Sequence, residues 1–135
     1  MQEEIIDQNN VSRDLLMAYF DKAYFQTSLD DKGSLFIQDK FRIFIDIGKK
    51  KANITLGVYF NLKEGCLFSD VLEYANTINK ELIQIKAIAG EKVITIEYDI
   101  WIEGGALVKN VMASYRSFVS QVSASIGKDR NQVLL

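Results

Sequence analysis

The chain has 135 residues and a formal net charge of −2; 48% of it is apolar, 25% is charged, and it contains one cysteine, no histidine and no proline. That length suits a single domain with one core, and the balance of residues is that of a soluble globular protein. The lack of histidine removes Ser-His-Asp and Cys-His catalysis and every His-containing zinc site. Cys66 alone cannot form an intramolecular disulfide, and the mild acidity argues against a nucleic-acid binder, which carries a basic stripe.

The opening MQEEIIDQNN has neither the basic start nor the apolar centre of a signal peptide. No run approaches the about 18 apolar residues of a membrane span. A cytoplasmic address is therefore expected, with no membrane partner. Without proline there is no Pro-rich linker, so a second domain is not expected. The expected layout is a flexible lead-in over 1–11, one domain over 12–127 and a frayed tail over 128–135.

The first helix is expected to start at Ser12, an N-cap, with Asp14 facing the positive end of the dipole. Leu15, Leu16, Tyr19, Phe20, Ala23 and Tyr24 recur at steps of three and four and form its buried stripe. Asp30-Asp31-Lys32-Gly33 is turn chemistry, with Gly33 able to take positive φ. It lacks the regular oxygen ligands and closing glutamate of a calcium loop.

A meander follows. Ser34 to Gln38 makes a short strand. Phe41 to Ile47 alternates, with Phe41, Ile43, Ile45 and Ile47 on one face and Arg42, Phe44 and Asp46 on the other. Gly48-Lys49-Lys50-Lys51 is a solvated turn. Asn53 to Phe60 then sets Ile54, Leu56, Val58 and Phe60 against Thr55, Gly57 and Tyr59. Short turns between alternating runs predict antiparallel hairpins. Cys66, in the loop that leaves the sheet, has no histidine or second cysteine to activate its thiol.

A second helix is expected from Ser69 as N-cap, burying Val71, Leu72, Ala75, Ile78 and Leu82. It leads to a strand over Ile83 to Ile88 and a turn at Ala89-Gly90-Glu91-Lys92. Val93 to Ile102 is the longest alternating run. Ile94, Ile96, Tyr98, Ile100 and Ile102 share one face; Val93, Thr95, Glu97, Asp99 and Trp101 share the other. Gly104-Gly105 stops this strand. The final helix is expected over Ala106 to Ile126, with Val108, Val111, Met112, Tyr115, Val119, Val122 and Ile126 buried and Gly127 as its stop. Its small-residue stripe of Ala113, Ser117, Ser120 and Ala124 is expected to be an exposed face.

The order predicts an α+β fold: helix, three strands, helix, two strands, helix, with a five-stranded antiparallel sheet and helices packed on one face. No phosphate-binding glycine fingerprint, Walker loop, CxxC pair or HExxH helix is present. No catalytic, cofactor or metal residues are assigned.

Three surfaces can carry function. Phe44, Tyr59 and Trp101 bring one aromatic each from three strands to the outer face, and an exposed aromatic patch marks a partner surface or a dimer contact. Tyr19, Tyr24 or Tyr115 could line a small-molecule pocket between helices and sheet. Glu97 and Asp99, roughly 6 to 7 Å apart by strand rise, could act as a carboxylate pair, although acids on the solvent side of a strand are ordinary surface charge.

Three stretches resemble the YbjN-type family of bacterial sensory transduction regulators: Val58 to Gly65 (VYFNLKEG), Tyr74 to Leu82 (YANTINKEL) and Tyr98 to Gly105 (YDIWIEGG). The resemblance spans residues 12 to 126. It rests on fold-determining patterns and carries no family active site. It implies a type III secretion chaperone-like fold and a non-enzymatic module, homodimeric or bound to a protein partner. The chemistry left by the sequence agrees: an interaction module is the leading expectation and a small-molecule sensor the alternative.

Overall fold

The computed structural model describes residues 4–135. In chain order the elements are β1 (Ile5–Ile6), α1 (Arg13–Lys22), β2 (Gln26–Leu29), β3 (Leu35–Gln38), β4 (Arg42–Ile47), β5 (Asn53–Asn61), α2 (Phe68–Glu81), β6 (Lys86–Ala89), β7 (Val93–Trp101), β8 (Ala106–Leu107) and α3 (Val108–Ile126). The fold is mixed α+β with three helices among the described residues. The main sheet has six strands in the order β2-β3-β4-β5-β7-β6, and β1 pairs with β8 in a second, two-stranded sheet. The chain divides into two compact units: residues up to Leu56 with Asp99–Ser117, and Gly57–Tyr98 with Phe118–Leu135.

The sheet thus has six strands where alternation predicts five, and four strands separate the first two helices in place of three. The added strand is β2. Its sequence, Gln26-Thr27-Ser28-Leu29, has one apolar residue and no alternation, so it carries no period-2 signal. Backbone pairing holds it: Gln26, Thr27, Ser28 and Leu29 lie opposite Gln38, Ile37, Phe36 and Leu35. The turn that returns the chain is built as expected. The Asp30 carboxylate accepts from the backbone N–H of Lys32 (2.9 Å) and Ser34 (2.8 Å). Gly33 takes φ +79°, where a side chain would be strained.

In the first unit, Ser12 caps α1 by accepting from the Leu15 N–H at 3.0 Å. The helix stops at Lys22 because Tyr24 turns left-handed at φ +68°. Leu16 and Phe20 are its buried residues. Phe20, Phe25 and Tyr115 meet edge to face with centroids 4.9 to 5.7 Å apart, the arrangement that aromatic quadrupoles favour. Of the flexible lead-in expected over 1–11, residues 1–3 lie outside the described residues, and residues 4–11 contribute structure. Ile6 is buried, Ile5 and Ile6 pair with Leu107 and Ala106, and the Glu4 carbonyl accepts from Val108 N–H at 2.9 Å. Ala106 and Leu107 are consequently strand, and α3 begins at Val108, two residues after the expected helix start at Ala106.

In the second unit, α2 begins at Phe68, not after Ser69; its N-cap is Leu67, which gives no side-chain cap bond. Val71, Tyr74, Ala75 and Ile78 are its buried face, while Leu72 lies exposed. Phe118 and Val122 of α3 are fully buried. So is Ser125, whose hydroxyl donates back to the Val122 carbonyl at 2.6 Å, a local bond that removes the cost of burying the group. The Tyr74 hydroxyl donates to the Ser125 carbonyl at 2.9 Å. The stretch after α3, expected to fray, is held. Val133 is 1% exposed; the Asp129 carboxylate accepts from Val133 and Leu134 N–H at 2.9 and 3.0 Å. Leu134 bridges Leu62 in antiparallel fashion. The sequence offers only one turn of apolar residues there, too short for a periodic signal.

Candidate interaction surface

The last strand, β7, follows its alternation closely. Ile94, Ile96 and Ile100 are buried, as is Ile102 just beyond it, while Asp99 and Trp101 face outward. Trp101 is 65% exposed. Its backbone is nonetheless anchored, because the next residue, Ile102, is buried and donates its N–H to the Ala52 carbonyl at 2.8 Å. Two residues before Trp101, the Asp99 carboxylate accepts from the Thr55 hydroxyl at 2.5 Å and the Asn53 amide at 3.3 Å. Beyond it, Gly104 and Gly105 turn the chain at φ +85° and +103°. Gly105 N–H returns to the Ile102 carbonyl at 2.9 Å, and Gly104 N–H is held by the Gln8 side chain at 3.1 Å. This glycine pair is a structural turn. Trp101 is a large amphipathic side chain on a fixed backbone, so docking a partner on it would order little else.

Phe44 shares the outer parity on β4 but is only 5% exposed. It can support a surface but cannot present one. Strand alternation assigns a side chain to a face; whether that face is covered at the residue depends on neighbours that the period does not encode.

Tyr59, in the second unit, is 57% exposed. It lines a groove of about 360 Å³ with Phe60, Asn61, Ile126, Leu134 and Leu135. The held C-terminal stretch forms one wall, since Leu135 N–H donates to the Asn61 carbonyl at 2.9 Å and Lys63 N–H to the Val133 carbonyl at 2.8 Å. A second apolar area lies at the start of α2, where Leu67, Phe68 and Leu72 are exposed. Phe68 also lines a cavity of about 370 Å³ with Cys66, Val71 and Glu91. Alternation inside strands and helices could not reveal these two, because they are assembled from loop residues and element ends.

The candidate carboxylates are engaged elsewhere. Glu97 lies opposite Lys86 with 3.9 Å between their charged groups, and Asp99 is occupied by Thr55 and Asn53. Tyr19, Tyr24 and Tyr115 do not line one pocket: Tyr24 is 97% exposed and Tyr115 is fully buried. The Tyr115 hydroxyl donates to Asp39 at 3.1 Å. Burial pushes the pKa of this phenol well up, with the Asp39 charge adding to the effect. Burial likewise raises Tyr74 to about 12, with the Asp129 charge adding to it. Among the described residues, no group of three or more Cys, Asp or Glu side chains is placed to hold a metal ion. No helix is long and apolar enough to cross a membrane among those residues.

The chain combines a mixed α+β fold and a mostly antiparallel sheet with no histidine, and its largest exposed side chains lie on strands and at helix ends. Residues 12–127 match the YbjN family, described as "Putative bacterial sensory transduction regulator", and the chain belongs to that family. Three solved chains match the fold. One is the crystal structure of E. coli YbjN, described as "a putative transcription regulator", with a TM-score of 0.74 and 18% identity over 93% of this chain and 96% of that one. At that identity the likeness is one of fold. The chain matches no curated protein. The family's description is that of a regulator, not of an enzyme.

Proposed function

We propose that this chain is a non-enzymatic, chaperone-like interaction module of the bacterial cytoplasm, acting in signalling or stress regulation. It binds a protein segment or a second copy of itself, and Trp101 and Tyr59 are its contact residues, with Phe44 as buried support. The observation that carries this reading is Trp101, two-thirds exposed on an anchored strand end. Exposed tryptophan and tyrosine are the residues most enriched at binding hot spots. The family's description as a regulator supports it, and so does the sequence's resemblance to proteins with the type III secretion chaperone-like fold. The net charge of −2 fits a protein partner better than a nucleic acid.

The test uses Trp101→Ser and Tyr59→Ser, singly and together, in sedimentation equilibrium and in capture of bound protein from the native cell. Stability should stay within about 0.5 kcal/mol of wild type, as for exposed sites, while self-association or partner capture falls at least about tenfold. Association and capture unchanged in the double variant would remove these residues from the proposed surface. Phe44 is left intact, since a serine there would disturb the core and confuse the result.

A further inference from the structure

Strand β6 ends the main sheet and should offer unpaired backbone groups along its outer edge. At Ala87 it does not. The Asn79 side chain, on the last turns of α2, donates its amide to the Ala87 carbonyl at 3.1 Å and accepts from the Ala87 N–H at 2.6 Å. Ala87 sits opposite Ile96 on β7. Antiparallel pairing alternates between residues that bond the neighbouring strand and residues whose groups point away. With both its groups on Asn79, Ala87 is of the second kind. A carboxamide carries the same donor and acceptor as a peptide group, so Asn79 occupies the position that one residue of an added strand would take.

The segment it guards is suited to pairing. Ile83 to Ala89 reads IQIKAIA, rich in β-formers with one charge, and such segments associate when their edges open. Ile83 and Ile88 are already exposed. Pairing with a second copy is also complementary. An antiparallel β6–β6 contact centred on Ala87 places the two Ala87 residues in register and each Lys86 opposite the other copy's Ile88. No like charges face each other, and the four hydrogen bonds made by the two Asn79 side chains give way to the two that the paired Ala87 residues exchange between the copies.

We propose that Asn79 is a latch on the β6 edge, and that its release exposes a pairing site for the same edge of a second copy. This route does not pass through Trp101, so it stands or falls apart from the function proposed above.

The experiment compares wild type, Asn79→Ala and Asn79→Asp by backbone amide exchange at Ala87 and by sedimentation equilibrium over rising concentration. Asn79→Asp keeps the acceptor for the Ala87 N–H and loses the donor to its carbonyl, so it serves if the alanine variant does not fold. At low concentration, exchange at Ala87 should quicken about tenfold in Asn79→Ala. At high concentration that variant should gain a dimer absent from wild type under the same conditions. Adding Ile88→Lys, which opposes lysine to lysine twice across the contact, should reverse that gain, while adding Trp101→Ser should not. Unchanged exchange together with unchanged mass in both Asn79 variants would overturn the latch. Association that survives Ile88→Lys would overturn β6 as its site.

Discussion

Replacing Tyr74 by phenylalanine removes one oxygen from a buried position, and the structure fixes what that costs. The Tyr74 hydroxyl donates to the Ser125 carbonyl at 2.9 Å. That carbonyl also accepts from the Lys128 N–H at 3.0 Å, so the change leaves no orphaned acceptor. The loss should therefore be the net worth of one hydrogen bond, about 1 kcal/mol, and not the larger penalty for a stranded polar group. The ring stays, so no cavity opens. The same oxygen makes stability depend on alkaline pH. Burial raises the folded-state pKa to about 12 from the ordinary tyrosine value of 10.0. A phenol whose folded pKa lies above its unfolded one contributes stability fully below pH 10. That contribution is lost as pH rises from about 10 through 12, because the unfolded chain ionises first. Urea titrations followed by circular dichroism at pH 7, 10 and 11.5 read both effects. Trp101 is the single tryptophan and is mostly exposed in the folded state, so its fluorescence would report unfolding poorly. Tyr74→Phe should be about 1 kcal/mol less stable at pH 7 and should lose less stability than wild type between pH 10 and 11.5. The slope should not vanish, since Tyr115 is raised as well. A variant that loses as much stability above pH 10 as wild type would refute the assignment.

Two further substitutions probe how the ends of the chain are fastened. Ser12→Ala removes the cap bond to Leu15 and should cost about 1 kcal/mol in chemical denaturation; no change would mean that α1 is not held at its N-terminus by this side chain. Val133→Ala removes two methyl groups from a buried position and should cost about 1–2 kcal/mol in the same assay. A frayed tail would give no change.

What the sequence made legible follows from the reach of each signal. On β7 and the residue after it, every second residue from Ile94 to Ile102 is apolar, and four of those five are buried, because alternation reads a local property of the strand. Ser12 and Gly33 were legible for the same reason: a cap and a positive-φ turn are settled within four residues. β2 was not, because Gln26 to Leu29 bury little and owe their conformation to a partner strand. The buried Tyr74, Phe118 and Ser125 widen the stripes read for the second and third helices. Their burial depends on which side chains arrive from elsewhere in the chain.

The candidate site divides along the same line. Trp101, Tyr59 and Phe44 share the outer parity of three strands, and that parity was readable. The difference between 65% and 5% exposure was not, since it depends on what lies over each position. The carboxylates make the complementary point. Glu97 and Asp99 also share that parity, and spacing alone allows them to act together. In the structure each has its own partner: Glu97 has Lys86, and Asp99 has Thr55 and Asn53. Next to that anchored aspartate stands Trp101, which has area to offer and a backbone already held. The physical contrast between the two residues, one spent on internal bonds and the other free at its surface, is what turns the outer face of β7 from a candidate for chemistry into a candidate for contact.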